Sequence, residues 1–157
     1  MQHRMKTHPL SETRVNALLK RVQTGSLATL NADGTPYNTP VHFVYEDSCI
    51  YIHGLPKGQK IDNILRDEKV GFTAYEMQSL LLDANGEPCD TNTQYESVIV
   101  TGRAAVVDDL DEKKTILHKI VEKYTPHLSE MRIPDNMLRG TAVLKVVVTE
   151  LTGKYYE

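Results

Sequence analysis

The sequence predicts an α+β fold that is mainly β: an antiparallel barrel with flanking helices. Three observations lead there. About six β-prone apolar runs follow one another in hairpin order, with helical segments inserted between them. The turns joining the early runs are too short for the crossovers that parallel strands require. No Gly-x-Gly-x-x-Gly stands between a strand and a helix, which removes the dinucleotide-binding reading of a doubly wound sheet.

Ser11 is placed to cap a helix over 12–23, whose Val15, Leu18, Leu19 and Val22 recur on one face. Thr24-Gly25 ends it. The stretch SLATLNADGTPYNTPVHFVYE (26–46) reads as two strands turned at Ala32-Asp33-Gly34. Pro36 and Pro40 cannot donate to a ladder. The second strand is therefore expected at an edge, bulged, or with backbone left free for another partner. After a turn at Glu46-Asp47-Ser48, CIYIH (49–53) is a third strand. A helix over 58–67 follows, with Ile61, Ile64 and Leu65 as its inward face.

VGFTAYE (70–76) is a fourth strand, and the polar, turn-rich DANGEPCDTNTQ (83–94) is expected to be a loop. SVIVTGRAAVV (97–107) is a long strand with a bulge or bend at Gly102. The clearest helix runs from Asp111 to Tyr124. Ile116, Leu117, Ile120, Val121 and Tyr124 form its stripe, acids open it, and Thr125-Pro126 stops it. A helical turn near 135–139 precedes a last strand over 141–156, central where Val146, Val147 and Val148 stand in succession.

With 157 residues, no repeat and no linker, one domain over 1–157 is expected. The net charge of -3 and pI near 6.1 argue against a nucleic-acid protein working by bulk attraction to phosphates. Cys49 and Cys89 do not make a disulfide scaffold, and no C-x-x-C or His/Cys cluster suggests zinc or another metal. The start, MQHRMKTHPL, is basic without the apolar run of a signal peptide, and no segment reaches membrane-spanning length. The expected location is the cytoplasm.

The chemistry concentrates in HGLPKGQKIDNI (53–64). A strand ends at His53, and a short loop enters a helix whose first turn holds Gly58, Gln59 and Lys60. Helix N-termini present unpaired N–H groups and a positive dipole end, so they suit an anion. Lys57 and Lys60 work against that dipole unless an anion lies between them. Gly58 lets backbone approach such a ligand. Taken alone, the same residues are also compatible with two solvated lysines and a turn glycine. Upstream, NTPVHFVY (38–45) sets Thr39 and His42 beside proline-interrupted backbone that can serve a flat heteroaromatic ring.

TGSLATLNADGTPYNTPVHFVYED, IYIHGLPKGQKIDNI, YESVIVTGRAAVVDD, EKYTP and the closing LTGK resemble, in order and spacing, the pyridoxamine 5'-phosphate oxidase-like family of FMN-binding split barrels. Within it they resemble the branch related to NimA nitroimidazole-resistance proteins. The resemblance implies a split β-barrel that forms a homodimer with FMN at the subunit interface. It implies that Thr39, Pro40 and Val41 lie along the isoalloxazine ring, with His42 beside them. Lys57, Gly58, Gln59 and Lys60 would then cradle the phosphate, with Asn63 near the same end. His53 would sit at the substrate side as the candidate catalytic group, a proton donor or orienting residue. Ser97 would be contributed near the cofactor from one subunit or the other.

The implied activity is electron transfer from flavin to a small oxidised compound such as a nitroaromatic. The alternatives are a non-catalytic FMN store or sensor, and a split barrel holding another planar ligand such as haem. Pyridoxamine phosphate oxidase activity itself is disfavoured, because the chain ends LTGKYYE where an arginine-rich substrate segment would be sought. The least matching stretch, 83–94 with Cys89, is a candidate loop over the flavin. The nearby apolar Met77 and Leu80–Leu82 are expected to be buried against a second subunit.

Overall fold

The computed structural model describes residues 3–157. Six strands are present: β1 (Thr24–Leu30), β2 (Pro36–Glu46), β3 (Cys49–Gly54), β4 (Lys69–Leu81), β5 (Asn92–Val106) and β6 (Ala142–Tyr156). They close into a ring in the order β1-β2-β3-β6-β5-β4, every neighbouring pair antiparallel. Among the described residues five helices decorate it: α1 (His3–Thr7), α2 (Glu12–Arg21), α3 (Gln59–Arg66), α4 (Leu110–Tyr124) and α5 (Asp135–Gly140). The expected antiparallel barrel with flanking helices is the observed fold.

Two cores follow from the alternation of strand side chains. Inside the ring, Leu27, Phe43, Ile50, Ile52, Phe72, Val98, Val100, Leu144 and Val146 meet Leu18 and Leu19 of α2. On the outside of β2, β3 and β6, the intervening Val44, Tyr51 and Val143 pack against Ile116, Leu117 and Ile120 of α4 and Leu138 of α5. The strand β3 is thus covered on both faces, which is why Cys49–Ile52 read as an unbroken buried run. Ser11 caps α2, its hydroxyl accepting from Arg14 N, and Asp109 caps α4 through Glu112 N. Below α2, the buried Glu96 carboxylate accepts from Arg14 (2.7 Å) and Arg21 (2.9 Å), fastening the helix to β5.

Several boundaries differ from the sequence expectation. The strands β4 and β5 extend to Leu81 and Asn92, so the loop shrinks and much of 83–94 is hairpin strand or a short 3-10 turn at Pro88–Asp90. Periodicity does not reveal this, because the extension pairs polar with apolar residues at a solvated ribbon. In α3, Ile61 and Ile64 are buried, but Leu65 is 72% exposed and Asn63, 3% exposed, takes the inward position. Specific hydrogen bonds override the apolar pattern there. The bulge near Gly102 is present, with its extra residue, Thr149, on the facing strand: Thr101 pairs with Glu150 and Gly102 with Val148. Cys49 and Cys89 are both free thiols. Among the described residues no helix is long and apolar enough to cross a membrane.

Candidate functional site

Within the closed ring, β2 is only partly flanked. Residues 36–42 of β2 pair with β1 alone, and pairing with β3 begins only at Phe43–Ile52. Among the described residues the other edge of β2 over 36–42 therefore has no strand partner, the outcome that Pro36 and Pro40 make tolerable. Near this edge β3 leaves the sheet at Gly54 and the chain turns into α3. The result is an open cavity of about 380 Å³ lined by Thr24, Pro40, Val41, His42, His53 and Lys60.

The α3 N-terminus is held at this place by side-chain amides. Gln59 Nε2 donates to Asn31 Oδ1 (2.8 Å), and Asn63 Nδ2 donates to Thr29 Oγ1 and Asn31 Oδ1 (3.0 Å each). Arg66 in turn donates to Asn63 Oδ1 (2.8 Å). Asn31 belongs to the β1–β2 turn, where its backbone N–H donates to Thr35 O (2.9 Å). Gly58 is the N-cap at φ 125°, a conformation that disfavours other residues, and no side chain caps the helix. The first amides of α3 are left for an outside acceptor.

His42 projects outward and stacks on the Tyr124 ring at 4.5 Å, with the His53 ring 6.5 Å from it. Tyr124 is itself fixed: its hydroxyl accepts from Phe43 N (2.7 Å) and donates to Gln23 O (2.6 Å), filling the gap where β1 and β2 part. The neighbouring Lys123 donates to Leu19 O (2.9 Å) and lies 3.8 Å from the Phe43 ring centre. Burial pushes its ammonium down to about 8, against the two contacts that favour the charged form.

His53 is half-buried, and its Nδ1 is buried with no hydrogen-bond partner among the described residues. Desolvation first, then the positive fields of His42 and Lys60, hold its pKa below the ordinary histidine range. The Lys60 side chain folds over Gly54, where a Cβ would stand 3.1 Å from Nζ. Among the described residues no carboxylate pairs with Lys57 or Lys60.

The structure therefore brings Pro40, Val41, His42, His53 and Lys60 onto one cavity. Thr39 is half-buried one residue along the same edge, and Lys57 and Gly58 are exposed at the mouth of α3. The Gln59 and Asn63 side chains are engaged in holding the helix rather than directed at a ligand. Ser97 lies elsewhere in this chain. Its buried hydroxyl, also without a partner among the described residues, borders a second cavity of about 430 Å³ with Tyr75, Tyr95, Ile99 and Lys154. Tyr124 and Thr24 reach the first site without local warning, Tyr124 from more than eighty positions along the chain. A periodic stripe residue carries no sign of such a role.

A sequence model of the pyridoxamine 5'-phosphate oxidase family matches residues 11–155. No curated protein matches the chain. Among solved structures it is similar to a candidate 5-nitroimidazole antibiotic resistance protein from Bacteroides thetaiotaomicron, with TM-score 0.81 and 26% identity over 93% of this chain and 85% of that one. It shares its fold with the flavocytochrome Anf3 from Azotobacter vinelandii, TM-score 0.81 at 21% identity, over 94% of this chain and 68% of that one. It shares it also with the FAD and heme binding protein from Mycobacterium smegmatis, TM-score 0.83 at 18% identity, over 94% of this chain and 72% of that one.

Proposed function

The chain belongs to the pyridoxamine 5'-phosphate oxidase family, and from that premise we propose that it is an FMN-dependent oxidoreductase that passes electrons to a small oxidised organic compound. One observation carries the reading: an unpaired strand edge, an unpaired lysine and a partnerless histidine nitrogen converge on a single cavity. Buried polar atoms are ordinarily satisfied, and those that are not call for a ligand or a role.

The residues fit a flavin mononucleotide. Free amides at the start of α3, with Lys57 and Lys60, suit a phosphate of nearly two negative charges. The bare edge of β2 at Thr39–His42 suits the donors and acceptors on the rim of a flat ring, and His42, propped by Tyr124, gives that ring a wall. Bound flavin supplies the redox chemistry. His53 is held neutral at pH 7 by its surroundings, so it offers one N–H and one acceptor. An anion that compensates Lys60 lifts the proton affinity of His53 and equips it to donate a proton or orient a substrate. The Bacteroides relative, by its name, supports a nitroaromatic acceptor.

We also propose that the working form is a homodimer. The cavity is open on one side, and Ser97 stands with its unused hydroxyl on a separate surface, so a second copy can close the first with the second. Exposed Met77, Leu80 and Leu82 mark the β4–β5 ribbon as the face to be covered.

Replacing Lys57 and Lys60 together with alanine should leave the fold intact and weaken flavin retention roughly a hundredfold, since each charged hydrogen bond contributes about 1.5 kcal/mol or more. A double variant that stays fully yellow refutes the phosphate assignment. The released chromophore identifies the flavin, and a Soret band in place of a flavin spectrum would transfer the site to haem. Saturable reoxidation of the reduced protein by a nitroimidazole separates an enzyme from a flavin store.

A further inference from the structure

His53 walls two cavities, not one. Beyond it lies a second space of about 360 Å³ lined by His53, Gly54, Leu55, Met137, Gly140 and Thr141. We propose that this space between His53 and α5 is a binding site for a small, uncharged, largely apolar organic molecule. It rests on the reading above, naming where the substrate of the flavin site is seated and what kind of molecule it is.

The lining argues for that chemistry. None of these six residues carries a fixed charge, in contrast to the lysine-bearing cavity that His53 also lines. The Thr141 hydroxyl is already used, donating to Met137 O (2.8 Å). Its oxygen keeps only acceptor capacity, so the imidazole is the one lining side chain able to donate to an occupant, and its Nδ1 has no partner within the described residues. A charged guest would lose hydration here with no counter-ion in the lining, because the Lys60 ammonium that folds over Gly54 lines the first cavity, where the phosphate reading engages it. A compact, mostly apolar molecule with one polar group would lose little. The volume is at the lower end of small-molecule sites, which limits the guest to about one substituted ring.

The walls are built for the purpose in different ways. Leu138 is buried in the outer core and anchors α5, whereas Met137, next to it, is 57% exposed and turned to the cavity. Leu55 is exposed across from it, in the loop between β3 and α3. A methionine thioether adapts its shape to flat guests and contacts aromatic rings favourably. Neither residue is needed by the core, so both are free to set specificity.

The test uses flavin-free protein with carbon-13-labelled methionine methyl groups, held in inorganic phosphate so that the Lys57 and Lys60 site is occupied, and titrated with nitrobenzene and with 4-nitrobenzoate. Nitrobenzene should shift the Met137 methyl saturably and leave the Met77 methyl unmoved, while 4-nitrobenzoate binds at least about tenfold more weakly. Met137→Trp should weaken nitrobenzene by about tenfold or more while flavin retention is unchanged. Leu55→Lys, at an exposed position, should reverse the preference toward 4-nitrobenzoate.

Equal binding of the two probes overturns the proposal. So does an unaltered response in Met137→Trp, or a Met137 methyl shielded by a second copy of the chain in the absence of probe. A chain that takes up no flavin but shows the Met137 shift and the charge discrimination sinks the cofactor reading and upholds this site.

Discussion

His53 shows how burial sets a functional group's state. Desolvation, with His42 and Lys60 nearby, lowers its proton affinity in the folded chain relative to the unfolded one. The unfolded chain then binds more protons, so the contribution of His53 to stability is present above the ordinary histidine range and is lost as pH falls from that range through the lower folded value. Melting temperature measured from about pH 7 down to 5 should decline less steeply in His53→Gln than in the parent. Parallel curves would remove the argument. A second residue, Asn63, takes a place that periodicity would give to a leucine. Its amide bonds to Thr29, Asn31 and Arg66, so Asn63→Ala leaves buried groups unpaired at a cost of about 1–3 kcal/mol. Urea unfolding should show that loss, and flavin affinity should fall with it, because the α3 terminus is no longer held against the β1–β2 turn.

Among the elements, β5 and β6 form a long ladder and meet at a bulge that only a glycine permits. A Cβ on Gly102 would stand 2.6 Å from Val147 O and 2.7 Å from Val146 Cγ1. Backbone cannot yield as a flexible side chain can, so Gly102→Ala should destabilise by about 1–3 kcal/mol in denaturant titration. A neutral substitution would mean that the ladder shifts freely at this point. The β2 strand makes the complementary case, since its two prolines lie where a missing neighbour does no harm and the missing neighbour is what opens the cavity. The helix α3 was legible as a helix from its apolar spacing and as an anion site from its lysines. Which of its residues faced inward was not, because Asn63 is buried through partners 32 and 34 positions upstream.

For the molecule as a whole, the ribbon formed by 78–81 and 92–94 extends past the last pairing of β5 with β6 at Tyr95–Tyr156. Two strands alone are marginal in water, and this pair carries exposed apolar side chains. The chain should therefore sediment as a dimer, and Met77→Glu with Leu80→Glu should yield a folded monomer that loses flavin. A parent that is monomeric and still holds flavin would refute the shared site.

The antiparallel class, nearly all the strands and helices, and the basic loop at 53–60 are readable from residue spacing, because they depend on neighbours a few positions apart. The tertiary structure alone placed Tyr124 against His42, turned Asn63 inward, lengthened the β4–β5 ribbon and set a second, apolar space behind His53. All but the ribbon join residues distant along the chain, and the ribbon is a hairpin of mixed polarity, so none of the four leaves a periodic trace.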